Sequence, residues 1–299
     1  MVLSPPMPLP GKRPCPLCGS TDQRIQALHA DHHVVKCADC GLVYTGIAPT
    51  QEELQAYYGG YPVHDQVSPI TLKRYDEILV RLERFRRTNR IIDVGCGAGL
   101  FLERAALRGW EVHGTEFGQQ ALKACRARGI NIIEGPLDPA NYPPGHFDVA
   151  CSFEVIEHLP YPGPEMENMA RLLRPGGALY VTTPNYRSVG HWLTGRDWTV
   201  VNYPEHLNYF TPRTLRKLIT SKGFRAYRVR TTGISLNRIK ARHGHDRSEK
   251  EAVRTSQEDL RARLEHNPLL NLMKRTVDAL LDLFGIGDNL KATFIKGSQ

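Results

Sequence analysis

The sequence contains no run of about 18 apolar residues, so it predicts no membrane-spanning helix. Its opening stretch is rich in proline from Pro5 to Pro14, where an export signal would need an apolar segment, and the expectation is a cytoplasmic protein. Cysteine is scarce and unevenly placed. Of seven residues, Cys15, Cys18, Cys37 and Cys40 form two CxxC pairs, while Cys96, Cys125 and Cys151 stand singly. An odd number with this clustering speaks against a disulfide framework and for a metal site with reduced thiols elsewhere. Acidic residues are in the minority, 31 against 39 Lys and Arg, for a net charge of +8. The excess suggests an anionic partner, although a solvated basic surface explains it equally well.

What is present begins with the two knuckles, Cys15-Pro-Leu-Cys18-Gly19 and Cys37-Ala-Asp-Cys40-Gly41. In each, a glycine-eased turn points two thiolates at one point, and two such pairs close a tetrahedral shell of the structural zinc type. Short strands at Arg24–Leu28 and Val34–Lys36 make the connection a ribbon. His29, His32 and His33 lie near its turn as alternative ligands, which the complete CxxC pairs disfavour. A module over 1–48 this small depends on zinc for much of its folding free energy. A helical connector follows over 49–88, opened by a Thr50/Glu53 capping box and continued by an amphipathic helix from Ile70 to Arg87.

From Arg90 the pattern alternates between strands and helices, which implies an α/β fold with a doubly wound, mostly parallel sheet over 89–299. The first strand, Ile91–Val94, runs into Asp93-Val-Gly95-Cys96-Gly97-Ala-Gly99. Glycines at alternate positions permit a tight turn and close approach of a ligand, and the following helix N-terminus offers N–H groups. The chain lacks the G-x-G-x-x-G spacing of dinucleotide-binding turns. Glu116 ends the second strand, where a carboxylate can accept both hydroxyls of a ribose.

The whole set resembles the class I S-adenosylmethionine-dependent methyltransferases. Asp93 to Gly99 is similar to their first motif, Val112 to Glu116 to their second, and Gly145-His-Phe-Asp148 through Glu154-Val-Ile-Glu157-His158 to their fourth-strand segment; Leu173 to Asn185 is similar to the turn and strand that follow. The paired CxxCG knuckles and the segment His206-Leu-Asn-Tyr-Phe-Thr-Pro212 extend the likeness to bacterial members with an N-terminal zinc ribbon. The resemblance implies a Rossmann-like sheet of seven strands. It puts the cofactor's methionine end on Gly95, Cys96, Gly97 and Gly99, its amino group near Asp93, its ribose on Glu116, and its adenine beside Phe117, Leu137 and Asp138. Phe153 completes the cofactor set. Pro136 stands where many relatives carry an acidic residue, so Asp138 takes the adenine role by position.

The expected acceptor is a small molecule, a sugar, nucleotide-linked sugar or natural-product hydroxyl, with phosphate-bearing compounds among the candidates. A hydroxyl must lose its proton, so a base is needed, and His206, His158 and Glu157 are the candidates. Glu154, Glu157 and His158 also resemble a metal-binding segment of ubiquinone-pathway O-methyltransferases, against the plainer reading that they cap backbone and shape the pocket. Between 186 and 212 an aromatic-rich stretch is expected to act as a lid, about half of its aromatics serving as core. The alternative acceptor is RNA, on the strength of the zinc module and the charge, but the chain lacks the Asn/Asp-Pro-Pro-aromatic signature of many base N-methyltransferases. A helical insertion over 233–285 ends in an amphipathic helix from Leu269 to Phe284, read as packing on the domain or closing the acceptor site, with a membrane-surface role as the lesser alternative.

Overall fold

Residues 12–58, 66–235 and 268–297 are described by the structure, a computed structural model. Three short strands come first, β1 (Gln23–Ile25), β2 (Val34–Cys37) and β3 (Val43–Thr45), followed by helices α1 (Gln51–Tyr58) and α2 (Pro69–Leu82). Both helices start as their sequences dictate. Glu53 N–H donates to Thr50 Oγ1 at 3.2 Å while Thr50 N–H reaches Glu53 Oε2 at 2.7 Å, and Ser68 caps α2 ahead of Pro69.

The alternating region runs β4 (Arg90–Val94), α3 (Leu100–Leu107), β5 (Glu111–Glu116), α4 (Gln119–Ala127), β6 (Asn131–Glu134), β7 (Phe147–Phe153), α5 (Pro162–Leu172) and β8 (Leu173–Pro184). Beyond β8 lie α6 (Val189–Thr194), β9 (Asn208–Tyr209), α7 (Pro212–Thr220), β10 (Phe224–Thr232), α8 (Pro268–Phe284) and β11 (Asn289–Lys296). Seven strands form one sheet in the order β10-β11-β8-β7-β4-β5-β6, in which only β11 runs antiparallel to its neighbours. The expected seven-stranded, mostly parallel sheet is thus present. Its central strands are buried along nearly their whole length because helices cover both faces. Side chains of α2, α3 and α4 fill one face, and those of α5 and α7 the other.

Strand order reverses between β4 and β7, so the loops at their carboxyl ends diverge and leave a crevice. Those loops are the glycine turn after Val94 and the segment from Glu154 to His158.

The stretch 186–212 is packed rather than loose. Its strand β9 pairs with β3, so the ribbon sheet has the order β1-β2-β3-β9 and draws its fourth strand from the chain between β8 and β10 of the main sheet. Trp198, Val200, Val201 and Tyr209 share one apolar cluster with Val34 and Val43 of the ribbon. The first ribbon strand is shorter than its sequence suggests. It stops at Ile25 and turns through two 3-10 turns over Ala27–His32, because His29 folds inward, fully buried, and stacks on His191 with Nε2 atoms 3.1 Å apart.

Candidate active site

The glycine turn has positive φ at Gly95 (69°), Gly97 (55°) and Gly99 (78°), a region closed to most side chains. The three positions do different things. A Cβ on Gly95 would lie 2.8 Å from Val155, so the turn presses against the segment that leaves β7. A Cβ on Gly99 would meet Ile130 at 2.3 Å and Cys125 at 2.9 Å; this glycine lets α3 seat against α4 and the start of β6. At Gly97 the corresponding space is open, on a backbone that a ligand can approach closely.

Several amides of the turn are already engaged. Gly95 and Cys96 N–H donate to the Thr115 carbonyl at 3.0 and 3.1 Å, and Gly97 N–H donates to Glu116 Oε2 at 2.8 Å. Glu116 is therefore part of the turn: Oε1 also accepts from Phe117 and Gly118 N–H at 2.8 and 3.0 Å. The Cys96 side chain points away from the crevice, with its sulfur 3.8 Å from Cys125 Sγ.

Asp93, the penultimate residue of β4, lies beneath this turn. It is 3% exposed, and its Oδ1 has no hydrogen-bond partner. Burial drives its pKa well above the ordinary carboxylate range, and Cys125 and Glu116 add to the effect. A buried carboxylate beside other acidic groups lacks a cation, and the ammonium and sulfonium of S-adenosylmethionine are of the charge it lacks. The residues fit that cofactor at this end.

At the expected adenine end the side chains separate. Phe117 is 67% exposed beside Glu116, available for stacking, whereas Leu137 is buried in the core and Asp138 caps the 3-10 turn Pro139–Asn141 through Ala140 N–H at 2.8 Å. Phe153 sits in an aromatic wall with Phe101, Tyr180 and Tyr75, ring centroids 4.7, 5.5 and 6.1 Å away. Tyr75 and Phe101 were not among the residues singled out from sequence. Their helical spacing marks them only as core; contact between α2 and α3 brings the two rings within 5.5 Å, and the Asp93 charge acts on the Tyr75 hydroxyl. Glu154 follows at φ 54°, an unusual backbone for a side-chain-bearing residue, held by its N–H to the Thr182 carbonyl at 3.0 Å.

Glu157, His158 and His206 come together, their ligating atoms within 4.8 Å of one another. Glu157 is buried, with Oε2 accepting from Thr183 Oγ1 at 3.0 Å, and its carbonyl holds Leu207 and Asn208 N–H. The two imidazoles meet edge to face at 4.7 Å. His158 Nδ1 lies 3.0 Å from the Glu205 carbonyl and His206 Nδ1 2.6 Å from the Val200 carbonyl. A carbonyl only accepts, so each Nδ1 donates to its carbonyl, and His158 also hydrogen-bonds the Glu154 backbone. Burial, with His206 adding, lowers the His158 pKa to about 4.

A buried cation that sequence reading missed organises this corner. Arg13 Nη1 donates to the Leu207 carbonyl (3.0 Å), Thr45 Oγ1 (3.1 Å) and the Thr45 carbonyl (3.3 Å), and Nη2 donates to Asn208 Oδ1 (2.8 Å) and the Pro160 carbonyl. Nothing local in the sequence marks Arg13, because all of its partners are distant in the chain. At the far end of the ribbon the sulfurs of Cys15, Cys18, Cys37 and Cys40 converge within 4.8 Å, with Cys15–Cys40 and Cys18–Cys37 at 3.5 Å. A tetrahedral shell with Zn–S of about 2.3 Å has S–S edges of about 3.8 Å, so four thiolates can close on zinc with little movement.

A doubly wound sheet with this strand order, and a glycine turn at its switch point, defines the Rossmann-like methyltransferase fold. The chain belongs to the methyltransferase domain family, whose pattern matches residues 69–229, more than half of its length. It is similar to the ubiquinone biosynthesis O-methyltransferases of Idiomarina loihiensis (31% identity over 146 residues, 43% of this chain and 58% of the relative) and Marinobacter nauticus (33% over 135 residues, 42% and 53%). The chain thus spans little more than half the length of these curated relatives. Among solved structures it shares its fold with a candidate sarcosine dimethylglycine methyltransferase from Galdieria sulphuraria (TM-score 0.52, 16% identity, 83% of this chain and 99% of that one). The 4+2 cyclase SpnF shares it too (TM-score 0.52, 20% identity, 84% and 98%), so the fold alone does not name the reaction.

Proposed function

We propose that the protein transfers a methyl group from S-adenosylmethionine to a hydroxyl of a small molecule, with sugars, nucleotide-linked sugars and natural products as the acceptor classes. The observation that carries the reading is Asp93: a buried carboxylate with an orphaned oxygen, no cation among the described residues acting on it, and an open glycine turn above it. The family membership and the O-methyltransferase names of the relatives support the reaction type.

S-adenosylmethionine, when bound, supplies a methyl group on a sulfonium whose leaving thioether is neutral. The protein's part is then alignment, exclusion of water and removal of one proton. Asp93 holds the ammonium, Glu116 the ribose hydroxyls, and Phe153 with Tyr75, Phe101 and Tyr180 forms a dry wall. His206 Nε2 takes the acceptor's hydroxyl proton, and the imidazolium keeps its Nδ1–H on the Val200 carbonyl. His158, with a pKa near 4, stays neutral and orients its neighbour. The four cysteines hold one structural zinc ion.

The test is calorimetry with S-adenosylhomocysteine on wild type and Asp93→Asn, beside a thermal melt without ligand. A raised folded pKa means that the folded chain holds the Asp93 proton more tightly than the unfolded chain, so this group's stability contribution is lost as pH rises above the ordinary carboxylate value. At pH 7 the uncharged amide therefore raises the melting temperature of the ligand-free protein, by about 2–4 °C per kcal/mol for a chain of this size class. The same change weakens ligand binding about ten-fold or more, the loss expected for a hydrogen bond between charged groups. Unchanged affinity in the variant removes Asp93 from the site, and no binding by wild type refutes the reading.

A further inference from the structure

A group of cations without anionic partners lies along the seam between α2 and the antiparallel edge of the sheet. On β11, Lys291 stands directly opposite Thr182 of β8 and Arg230 of β10, and Thr182 in turn stands opposite Phe153 of β7. Directly paired residues share a face of the sheet. Lys291 thus lies on the α2 face, two strands from the aromatic wall, where Glu154 is one of the charges that act on it. Arg74 and Arg81 act on it from α2, and Asp278 from α8.

Among the described residues Arg74, Arg81, Arg228 and Lys291 make no hydrogen bond or ion pair through their side chains, whereas neighbouring Arg230 is matched by Asp282 at 2.7 Å. Below Lys291 the seam opens into a cavity of about 60 Å³ lined by Arg81, Arg84, Arg228, Tyr180, Tyr227 and Thr293. Arg84 stacks over the Tyr227 ring at 5.8 Å and donates to its hydroxyl, which holds one guanidinium at the mouth.

We infer that this seam is the phosphoryl subsite of the acceptor: Lys291, with Arg74, Arg81 and Arg228, holds a phosphate or pyrophosphate group of the molecule that is methylated. The inference rests on the proposed methyl transfer and takes the acceptor to lie at the carboxyl end of β7, where Glu154 follows. Arg74 and Arg81 on the cationic side and Asp278 and Glu154 on the anionic side act on Lys291, and Arg81, Arg84 and Arg228 line the cavity, so cations outnumber carboxylates along the seam. Guanidinium forks match phosphate oxygens two at a time, and a lysine on a strand adds a point charge at fixed depth. Burial, with Arg74 and Arg81 adding, lowers the Lys291 pKa to about 8, the cost of holding that ammonium without an anion.

The probe is inorganic pyrophosphate, titrated calorimetrically into the full chain at low salt, with succinate as the carboxylate comparison. Pyrophosphate is expected to bind with one site, at least ten-fold more tightly than succinate, and to weaken at least ten-fold in both Lys291→Met and Arg74→Gln. Arg225→Gln, an exposed arginine at the start of β10, is expected to leave it unchanged. Methionine keeps the apolar stem of Lys291, and a thermal melt verifies that the variant folds. Equal binding in all four proteins, no saturable site, or equal affinity for succinate overturns the phosphoryl assignment. S-adenosylhomocysteine affinity measured on the same samples reports the donor site independently, so its loss in wild type would count against the methyl-transfer reading and leave the pyrophosphate result to judge the seam.

Discussion

At the scale of single residues, the pair His158 and His206 shows how backbone carbonyls set chemistry. Each ring is fixed by an Nδ1–H donated to a carbonyl, but burial removes His158 from the titration range of an effective base. Once an acceptor is known, His206→Ala should lower the methyl-transfer rate about 100-fold while S-adenosylhomocysteine affinity holds. A full rate in that variant with His158→Ala inactive would move the role to His158, and full rates in both would leave alignment as the sole contribution. His158 also makes a pH prediction. Its folded pKa of about 4 lies below the value of about 6.5 for an unfolded chain, so between the two the unfolded chain binds the proton and stability is lost as pH falls. Melting temperatures recorded from pH 7 to pH 4 should therefore decline less steeply for His158→Gln than for wild type.

At the scale of elements, the pairing of β3 with β9 joins the ribbon to the segment that carries His206. Arg13 clamps that junction from the ribbon side, reaching Thr45 on β3, Asn208 on β9 and the Pro160 carbonyl beyond His158. Burial lowers its pKa to about 10, so it remains a cation at neutral pH. Its replacement leaves several buried oxygens short of a donor. Arg13→Ala should cost about 2–4 kcal/mol in urea unfolding and lower the transfer rate, with S-adenosylhomocysteine affinity unchanged because the glycine turn touches none of these groups. Arg13→Lys should not restore stability, since an ammonium offers its donors from one point and cannot serve both sides of the junction. A stable, fully active alanine variant would show that β3 and β9 hold together without the clamp.

At the scale of the molecule, the ribbon and the main sheet meet around one crevice: Tyr75 of α2 packs on Phe101 and Phe153, and β9 of the ribbon sheet directly follows the segment with His206, the proposed proton acceptor. Elemental analysis should find one zinc per chain, and a strong chelator should lower the melting temperature and expose 186–212 to protease while S-adenosylhomocysteine still binds. Zinc retained after loss of both CxxC pairs would overturn the ligand set. Much of this was legible in linear order. Alternating apolar strands and amphipathic helices predict the doubly wound sheet, CxxCG knuckles the convergence of four sulfurs, and Asp93 to Gly99 with Glu116 the turn at the switch point, because each depends on residues within one or two turns of chain. The junction of β3 with β9, the burial of His29 against His191, the clamp by Arg13 and the meeting of Lys291 with Arg74 and Arg81 were not legible. Their partners lie from tens of residues to more than two hundred apart, and a hydrogen bond or a cluster of charge across such a separation leaves no periodicity in the chain. Only packing brings these groups together, since the ribbon and the stretch 186–212 each bury their apolar faces by closing on the other.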